Sequence, residues 1–131
     1  MKNITFEKYQ GNGNDFVVID SRGNDLYKNY KTNKIFDIKK ICNRQFGIGA
    51  DGVIFIEEPN EDNYAKMIIF NSDGSEAQMC GNGIRCLVEY LHVNDSMNNK
   101  NIEYKIETKA GLKIAKYIND EITVKMGVPI L

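Results

Sequence analysis

The segment from Ile84 to Val93 constrains the fold most, because it predicts a helix that is apolar on nearly every side. Its apolar positions are Ile84, Cys86, Leu87, Val88, Tyr90, Leu91 and Val93. Only Arg85 and Glu89, four residues apart, form a polar stripe. A helix of this kind is buried, and this one is too short to cross a membrane. We therefore expect a sheet that curls around it.

Alternating or continuous apolar runs predict strands on both sides of this helix. They are Ile4–Tyr9, Phe16–Asp20, Val53–Ile56 and Lys66–Asn71 before it, and Ile102–Thr108, Leu112–Ile118 and Ile122–Met126 after it. Ala110-Gly111 and Asn119-Asp120 supply tight turns, which are typical of an antiparallel meander. The pattern predicts an α+β fold in which a mostly antiparallel sheet curls as a barrel around a central buried helix.

The other connections are predicted to be short or irregular. Ser21–Asn33 is polar and turn-rich, so we expect an irregular connector. Asp37 is a plausible N-cap of a short helix that Gly47 ends. The side chains expected on one face of this helix are Ile38, Ile41, Cys42 and Phe46. His92 is expected to interact with the C-terminus of its own helix.

Composition and charge exclude several classes of protein. The 131 residues suit a single domain, 1–131, and the net charge of -1 gives no electrostatic reason to bind nucleic acid or an anionic membrane. No apolar run spans a bilayer and no apolar segment follows Met1, so we expect no membrane partner and a cytoplasmic location. Three cysteines do not suggest disulfides. Their spacing, with a lone His92, predicts no metal site.

Cys80 is the candidate reactive group. It stands between a polar turn and Gly81-Asn82-Gly83, which opens the buried helix. The positive end of a helix stabilises a thiolate, and its N–H groups can hold a carboxylate. A thiolate beside a carboxylate clamp can move a proton at the α-carbon of an amino acid. The alternative is that Cys80 is only a small, buried apolar side chain, and this is what we expect of Cys42 and Cys86.

Two glycine-rich segments could suggest nucleotide binding, but their context argues against it. A strand rather than a helix follows Gly11–Asp15, so a hairpin turn or a polar loop over a ligand, with Asn14 as donor and acceptor, fits better than a dinucleotide site. Gly81-Asn82-Gly83 lacks the Lys-Ser/Thr pair of a phosphate-binding P-loop.

Four segments together resemble the diaminopimelate epimerases. They are KYQGNGNDF (8–16), NRQFGIGADG (43–52), FNSDGSE (70–76) and CGNGIRC (80–86), and Met126–Pro129 is similar to the sequence that closes the first half of such enzymes. The resemblance implies a cofactor-independent epimerase that needs no PLP. Such an enzyme interconverts LL- and meso-diaminopimelate, for lysine and peptidoglycan synthesis, with two cysteines on opposite faces of the substrate.

The resemblance also assigns roles to residues. Cys80 matches the first catalytic cysteine, and the positions that contact substrate are Asn14, Asn71, Gly81 and Asn82. Some members have a substrate-contacting glutamine where this chain has Gly52, so that contact is not carried over. The fold implied has two similar halves, of which this chain matches the N-terminal one. We expect the chain alone not to epimerise, to need a C-terminal half-domain, and to associate through an exposed apolar face, a homodimer being one form.

Two other readings stay open. A related racemase or isomerase with the same fold acts on another amino acid or a phenazine precursor, although Asn71–Glu76 with Cys80 favours diaminopimelate. A non-catalytic half-domain that binds a ligand or a partner subunit is the second alternative.

Overall fold

A curled sheet surrounds one buried helix, as the sequence predicts. The computed structural model describes residues 6–11, 13–33, 37–77, 81–95, 101–118 and 121–125. The strands within these residues are β1 (Glu7–Gly11), β2 (Asn14–Asp20), β3 (Gly52–Glu57), β4 (Ala65–Asn71), β5 (Glu76–Ala77), β6 (Asn101–Thr108), β7 (Gly111–Ile118) and β8 (Glu121–Lys125). The helices are α1 (Leu26–Asn33), α2 (Ile38–Cys42) and α3 (Gly81–Asp95).

The described strands form one sheet in the order β1-β2-β3-β4-β6-β7-β8, with β5 paired to the end of β4. The pairs β2–β3 and β4–β6 are parallel, and all the other described pairs are antiparallel. Parallel neighbours need a crossover connection. The first crossover contains α1 and α2, and the second contains α3. The α+β, mostly antiparallel fold is thus confirmed.

The inner core lies between α3 and the concave face of the sheet. The helix contacts β1 and β2 at one end of the strand order and β7 and β8 at the other, so the sheet curls around it. Its buried residues are Gly83, Ile84, Cys86, Leu87, Val88, Leu91 and His92. The prediction of a buried helix is confirmed, although Val93, in the last turn, is exposed.

A second core lies on the outer face of β2, β3 and β4. Val17, Phe55 and Phe70 point outward, whereas the apolar residues next to them in the chain belong to the inner core. Burial on both faces explains why these strands read as continuous apolar runs. Helices α1 and α2 cover the outer face.

The irregular connector predicted for Ser21–Asn33 is wrong in its second half, which is α1. Asn24 Oδ1 accepts a hydrogen bond from the Leu26 N–H at 3.0 Å, which caps the first turn. Tyr30 stacks on Phe55 with ring centroids 5.5 Å apart, and Tyr27 lies 5.1 Å from the same ring. Packing of these aromatic side chains, with Leu26, therefore stabilises a helix whose other positions are polar.

The short helix α2 follows the prediction at its start and on its buried face, where Ile38, Ile41 and Cys42 pack into the outer core. Asp37 caps it by accepting hydrogen bonds from the N–H groups of Lys39 and Lys40. The helix ends at Cys42, with Asn43 as its C-cap, rather than at Gly47. Phe46 is 85% exposed, so its placement on the buried face is wrong. The chain leaves the helix one turn before Phe46 would reach that face.

The expectation for His92 is also wrong. Its ring stacks on Tyr117 with centroids 3.6 Å apart, and Nδ1 lies 3.4 Å from the Tyr104 hydroxyl. The side chain thus packs against β6 and β7 instead of the end of its own helix.

Some predicted features lie outside the described residues, namely Ile4, the turn Asn119-Asp120, and Met126–Pro129. In the described part of the chain, every helix is too short or too polar to cross a bilayer.

Candidate active site

Asn14, Gly52 and Asn71 lie close together at one end of the inner core. Strands β2 and β3 begin there and β4 ends there, because Phe16 pairs with Gly52 and Gly52 pairs with Asn71. Phe16, Ile54 and Ile69 belong to the inner core. Since strand side chains alternate, Asn14, Gly52 and Asn71 fall on the same inner face. We call this edge of the sheet, together with the first turn of α3, the open end.

Helix α3 meets the sheet at the open end through two amides. Asn82 Nδ2 donates a hydrogen bond of 2.6 Å to Asn14 Oδ1. A Cβ built at Gly81 would meet no heavy atom of the described residues within 4 Å. The first N–H groups of a helix lack partners within the helix and carry partial positive charge. Open space beside such groups suits a carboxylate.

An ionic network stands behind Asn14. The Asp15 N–H donates to Asp51 Oδ2 at 2.9 Å, and the Asp51 N–H donates to Asp15 Oδ1 at 3.2 Å. Arg44 bridges both carboxylates at 2.8 and 3.1 Å, and Lys8 lies 3.1 Å from Asp15. Hydrogen bonds from Arg44 and Lys8 hold the pKa of Asp15 well below its usual range. Asn14 Nδ2 donates to Asp51 Oδ2 at 3.3 Å, so the network reaches the amide pair.

The sequence analysis did not predict this network, since it assigned no role to Asp51. The two aspartates lie 36 residues apart, and only the parallel pairing of β2 with β3 brings them together. The sequence feature that could have indicated the network is an aspartate near the start of each of two strands, Asp15 for β2 and Asp51 for β3.

Asn71 belongs to a separate hydrogen-bonded group at the open end. Its Nδ2 donates to Ser75 Oγ at 3.1 Å, and the Ser75 hydroxyl donates to Asp73 Oδ1 at 2.6 Å. The turn closes with Gly74 at φ +90°, a left-handed conformation that favours glycine. Asn71 is therefore held by its own turn, two strands away from Asn14.

Gly52 has a steric reason to lack a side chain. A Cβ there would collide with the Phe70 carbonyl oxygen and lie 3.1 Å from the Phe16 ring. A longer side chain at this position requires the backbone of β3 or β4 to shift.

Of the three cysteines, the structure describes Cys42 and Cys86 but not Cys80. Cys80, together with Gln78 and Met79, lies outside the described residues, immediately before α3. Cys42 and Cys86 are buried, as predicted. Burial raises the pKa of Cys42 to about 11, so its thiol is protonated at neutral pH. Among the described residues, no cluster of three or more potential metal ligands is found.

Comparison with known sequences gives one family. The family model of diaminopimelate epimerase matches residues 6–131. A diaminopimelate epimerase of Prochlorococcus marinus (strain NATL2A) is 54% identical over 133 residues, covering 100% of this chain and 46% of that protein. One of Methanocella arvoryzae is 48% identical over 134 residues, covering 99% and 46%. The chain thus spans about half the length of these curated relatives.

Comparison with solved structures shows the same fold at low identity. A probable proline racemase from Agrobacterium radiobacter K84 matches with a TM-score of 0.64 and 19% identity, covering 87% of this chain and 37% of that one. A phenazine biosynthesis protein of the PhzF family from Bacillus anthracis gives a TM-score of 0.62 and 22% identity, covering 95% and 40%.

Proposed function

The chain belongs to the diaminopimelate epimerase family, and from this premise we propose that it supplies one side of an active site that interconverts LL- and meso-diaminopimelate without a cofactor. The observation that carries the proposal is the 2.6 Å hydrogen bond between Asn82 and Asn14. It joins the first turn of α3, just after Cys80, to the edge where β2 begins. Substrate-contacting roles for Asn14, Asn71, Gly81 and Asn82 are part of this proposal.

Cys80 acts in the proposed mechanism as an acid–base group at the α-carbon. Its thiolate takes the α-proton, and the electron pair of the broken C–H bond delocalises into the substrate carboxylate. The N–H groups at the start of α3 stabilise that negative charge. A thiol on the opposite face then gives its proton to the α-carbon, which inverts the configuration. The two sulfurs have thereby exchanged protonation states.

The opposing thiol must come from outside these 131 residues. Cys42 and Cys86, the other two cysteines of the chain, are buried in the outer and inner cores. A buried thiol with a raised pKa, as at Cys42, does not serve as an acid–base partner at the open end. We therefore propose that a second half-domain completes the site, and that this chain alone does not epimerise diaminopimelate at a useful rate.

Titration calorimetry with meso-diaminopimelate tests the binding part of this proposal. The 131-residue chain is compared with Asn82→Ala and with Asn94→Ala, a matched change near the other end of α3. We expect the wild type and N94A to bind alike and N82A to bind about tenfold more weakly, as for loss of a hydrogen bond to a charged ligand. Equal affinities for all three proteins would contradict a ligand site at Asn82.

Two further outcomes separate the alternatives. Binding of L-proline without binding of diaminopimelate would favour a related amino-acid racemase. Binding of diaminopimelate without exchange of its α-hydrogen in D₂O, even after a complementary half-domain is added, would favour a non-catalytic half-domain. Rapid epimerisation by the purified chain of confirmed mass would contradict the need for a second half.

A further inference from the structure

We propose that residues 43–50, which form a loop that exposes Phe46, are a docking surface for the half-domain that completes the open end. We call this segment the Phe46 loop. The inference rests on the proposed function, in which a second half-domain faces the open end. The partner surface that fits the loop is an apolar recess flanked by carboxylates.

Phe46 is the most exposed large apolar side chain in the described part of the chain, at 85%. Ile48, two residues later, is 40% exposed, so the loop presents two large apolar side chains to solvent. Apolar residues that are exposed singly are common on protein surfaces. The exposure of Phe46 is informative because of the loop that holds it.

Hydrogen bonds fix the backbone on both sides of Phe46. Asn43 Oδ1 accepts from the N–H groups of Gln45 and Phe46 at 2.8 and 2.9 Å. The Gly47 N–H donates to the Asn43 carbonyl at 2.9 Å. A Cβ at Gly47 would collide with the Lys40 carbonyl oxygen, so only glycine lets the loop pack this closely against α2. The loop thus holds an aromatic side chain in water on an ordered backbone, and such an anchor loses little conformational entropy when it binds.

Arg44 places the Phe46 loop beside the open end. Its guanidinium lies 2.8 Å from Asp15 and 3.1 Å from Asp51, the two carboxylates behind Asn14. Phe46 follows Arg44 by two residues, so their Cα atoms are no more than about 8 Å apart. A body that covers the open end therefore meets the Phe46 loop.

Two lysines of α2 give the docking surface its charge. Lys39 and Lys40 are exposed and immediately precede the loop along α2. Neither forms an ion pair with a carboxylate of the described residues. An apolar centre with a charged rim is the usual anatomy of a protein interface. Carboxylates on the partner would pair with these lysines, and charge pairs at a rim select the orientation of docking.

The lengths of the relatives indicate which body docks there. The diaminopimelate epimerases of Prochlorococcus marinus and Methanocella arvoryzae are each matched over 46% of their length, so about half of each protein lies outside the match. In the proposed mechanism this second half brings a thiol to the substrate face opposite Cys80. It must therefore cover the open end, and with it the Phe46 loop.

Hydroxyl-radical footprinting, which oxidises exposed side chains, measures the exposure of Phe46 directly. The 131-residue chain is compared with a chimera in which it replaces the matched part of the Prochlorococcus marinus protein. We expect oxidation of Phe46 to be about tenfold slower in the chimera, because the core of an interface is packed as densely as a protein interior. Leu112, 47% exposed at the start of β7, is the control side chain and should oxidise equally in both proteins.

Substitutions in the chimera separate docking from folding. Phe46→Ser removes the aromatic anchor, whereas Phe46→Leu keeps an apolar side chain. We expect kcat/KM for meso-diaminopimelate to fall about tenfold in F46S and to stay within about threefold in F46L, with Leu112→Ser as the matched control that leaves it unchanged. In the 131-residue chain, F46S should leave the midpoint of urea unfolding unchanged, because Phe46 buries almost no surface there.

Each outcome of the footprint decides the proposal. A Phe46 that stays exposed in an active chimera overturns docking while the proposed function stands. A protected Phe46 in a folded but inactive chimera supports docking while the proposed function fails. Protection within the 131-residue chain that rises with its concentration identifies a second copy as the occupant and overturns the proposal. If the chimera does not fold, the unmatched part of the Prochlorococcus marinus protein is added to the 131-residue chain in trans, and an unprotected Phe46 there overturns docking as well.

Discussion

Arginine and aspartate side chains form a network near each end of α3, but the two networks differ in their exposure to solvent. The 15-residue helix is about 22 Å long and the seven-residue strand β2 about 23 Å, so each end of the helix meets one end of the strand. At the open end, Arg44 and Lys8 neutralise Asp15 and Asp51. At the other end, the guanidinium of Arg22 forms ion pairs with the carboxylates of Asp20 and Asp95.

That second group, which we call the closed end, consists of Asp20, Arg22, Tyr64, Tyr90 and Asp95. Arg22 Nη2 lies 2.8 Å from Asp20 and Nη1 lies 2.8 Å from Asp95. The hydroxyl of Tyr90 donates to Asp20, and that of Tyr64 donates to Asp95. The group therefore ties β2, the last turn of α3 and the residue before β4 together.

The difference between the ends lies in the exposure of the two arginine side chains, since each of them hydrogen-bonds to two carboxylates of the protein. The Arg22 side chain is 19% exposed and makes bidentate contacts within the protein, whereas that of Arg44 is 58% exposed. Only the open end combines such exposure with open space beside the helix N-terminus at Gly81. The same residue types thus stabilise the fold at one end and leave room for a ligand at the other.

The largest expected contrast is in thiol reactivity. Cys80 precedes the open end, whereas Cys42 is buried with its pKa raised to about 11. At pH 7.5 we expect iodoacetamide to label Cys80 about a hundredfold faster than Cys42, because only the thiolate reacts. Peptide mapping after brief labelling measures both rates, and buried Cys86 should also label slowly. Equal labelling of all three cysteines would remove the chemical distinction of the open end.

Neutralising one arginine at each end tests the proposed division between stability and binding. Arg22→Gln leaves two half-buried carboxylates without their cation, so we expect the free energy of unfolding to fall by about 2 kcal/mol. Arg44→Gln affects an exposed side chain, and we expect a much smaller change. Urea unfolding of both variants measures the difference. Greater destabilisation by R44Q than by R22Q would reverse the assignment of the two ends.

The sequence was sufficient to predict the elements whose burial has a clear period. The helix after Cys80 and the strands of both crossovers were found because their apolar residues recur at 3.6 or 2 residues or run continuously. Helix α1 was missed because Tyr27 and Tyr30 are its main packing residues, and their partner Phe55 is far away in the chain. Phe46 was misplaced because helical spacing was extended beyond the end of α2.

Contacts between residues far apart in the chain also limited the prediction of the open end. The segments around Asn14, Asn71 and Gly81-Asn82 attract notice as turns or helix starts, and the resemblance to one family gives them roles. The contact between Asn14 and Asn82 spans 68 residues, and that between Asp15 and Asp51 spans 36. Neither has a local pattern, because the pairing of β2 with β3 creates the second contact and the packing of α3 against the sheet creates the first.

Alanine substitutions at Gly52 and Gly81 separate stability from binding within the open end. Gly52→Ala places a methyl group against the Phe70 carbonyl and the Phe16 ring, so we expect a loss of about 2 kcal/mol in unfolding free energy. Gly81→Ala meets open space in the described structure, so stability should change by less than about 0.5 kcal/mol. Its methyl group should instead weaken diaminopimelate binding in calorimetry. Unchanged binding by G81A would argue that the ligand does not approach this turn.

The smallest expected contrast is in acid sensitivity. Hydrogen bonds from Arg44 and Lys8 lower the pKa of Asp15. Burial raises the pKa of Asp20, but hydrogen bonds from Arg22 outweigh it and the net shift is downward. Between each lowered pKa and the unfolded value of about 3.9, the unfolded chain binds more protons than the folded one. Both carboxylates therefore contribute stability that is fully present above about pH 4 and is lost as the pH falls further.

Urea unfolding at pH 7, 5 and 3.5 separates the contributions of the two ends. Asp15→Asn and Asp20→Asn should each flatten the decline between pH 5 and 3.5, with Asp62→Asn as the charge control. Part of the decline should remain in both variants, since the pKa values of Asp73 and Glu107 are lowered as well. At pH 7, D20N should be less stable than D15N because Asp20 anchors the half-buried Arg22. A decline as steep in D15N as in the wild type would mean that the ion pairs of Asp15 contribute nothing to folding, and that the bonds of Asp51 and the two amides hold the open end.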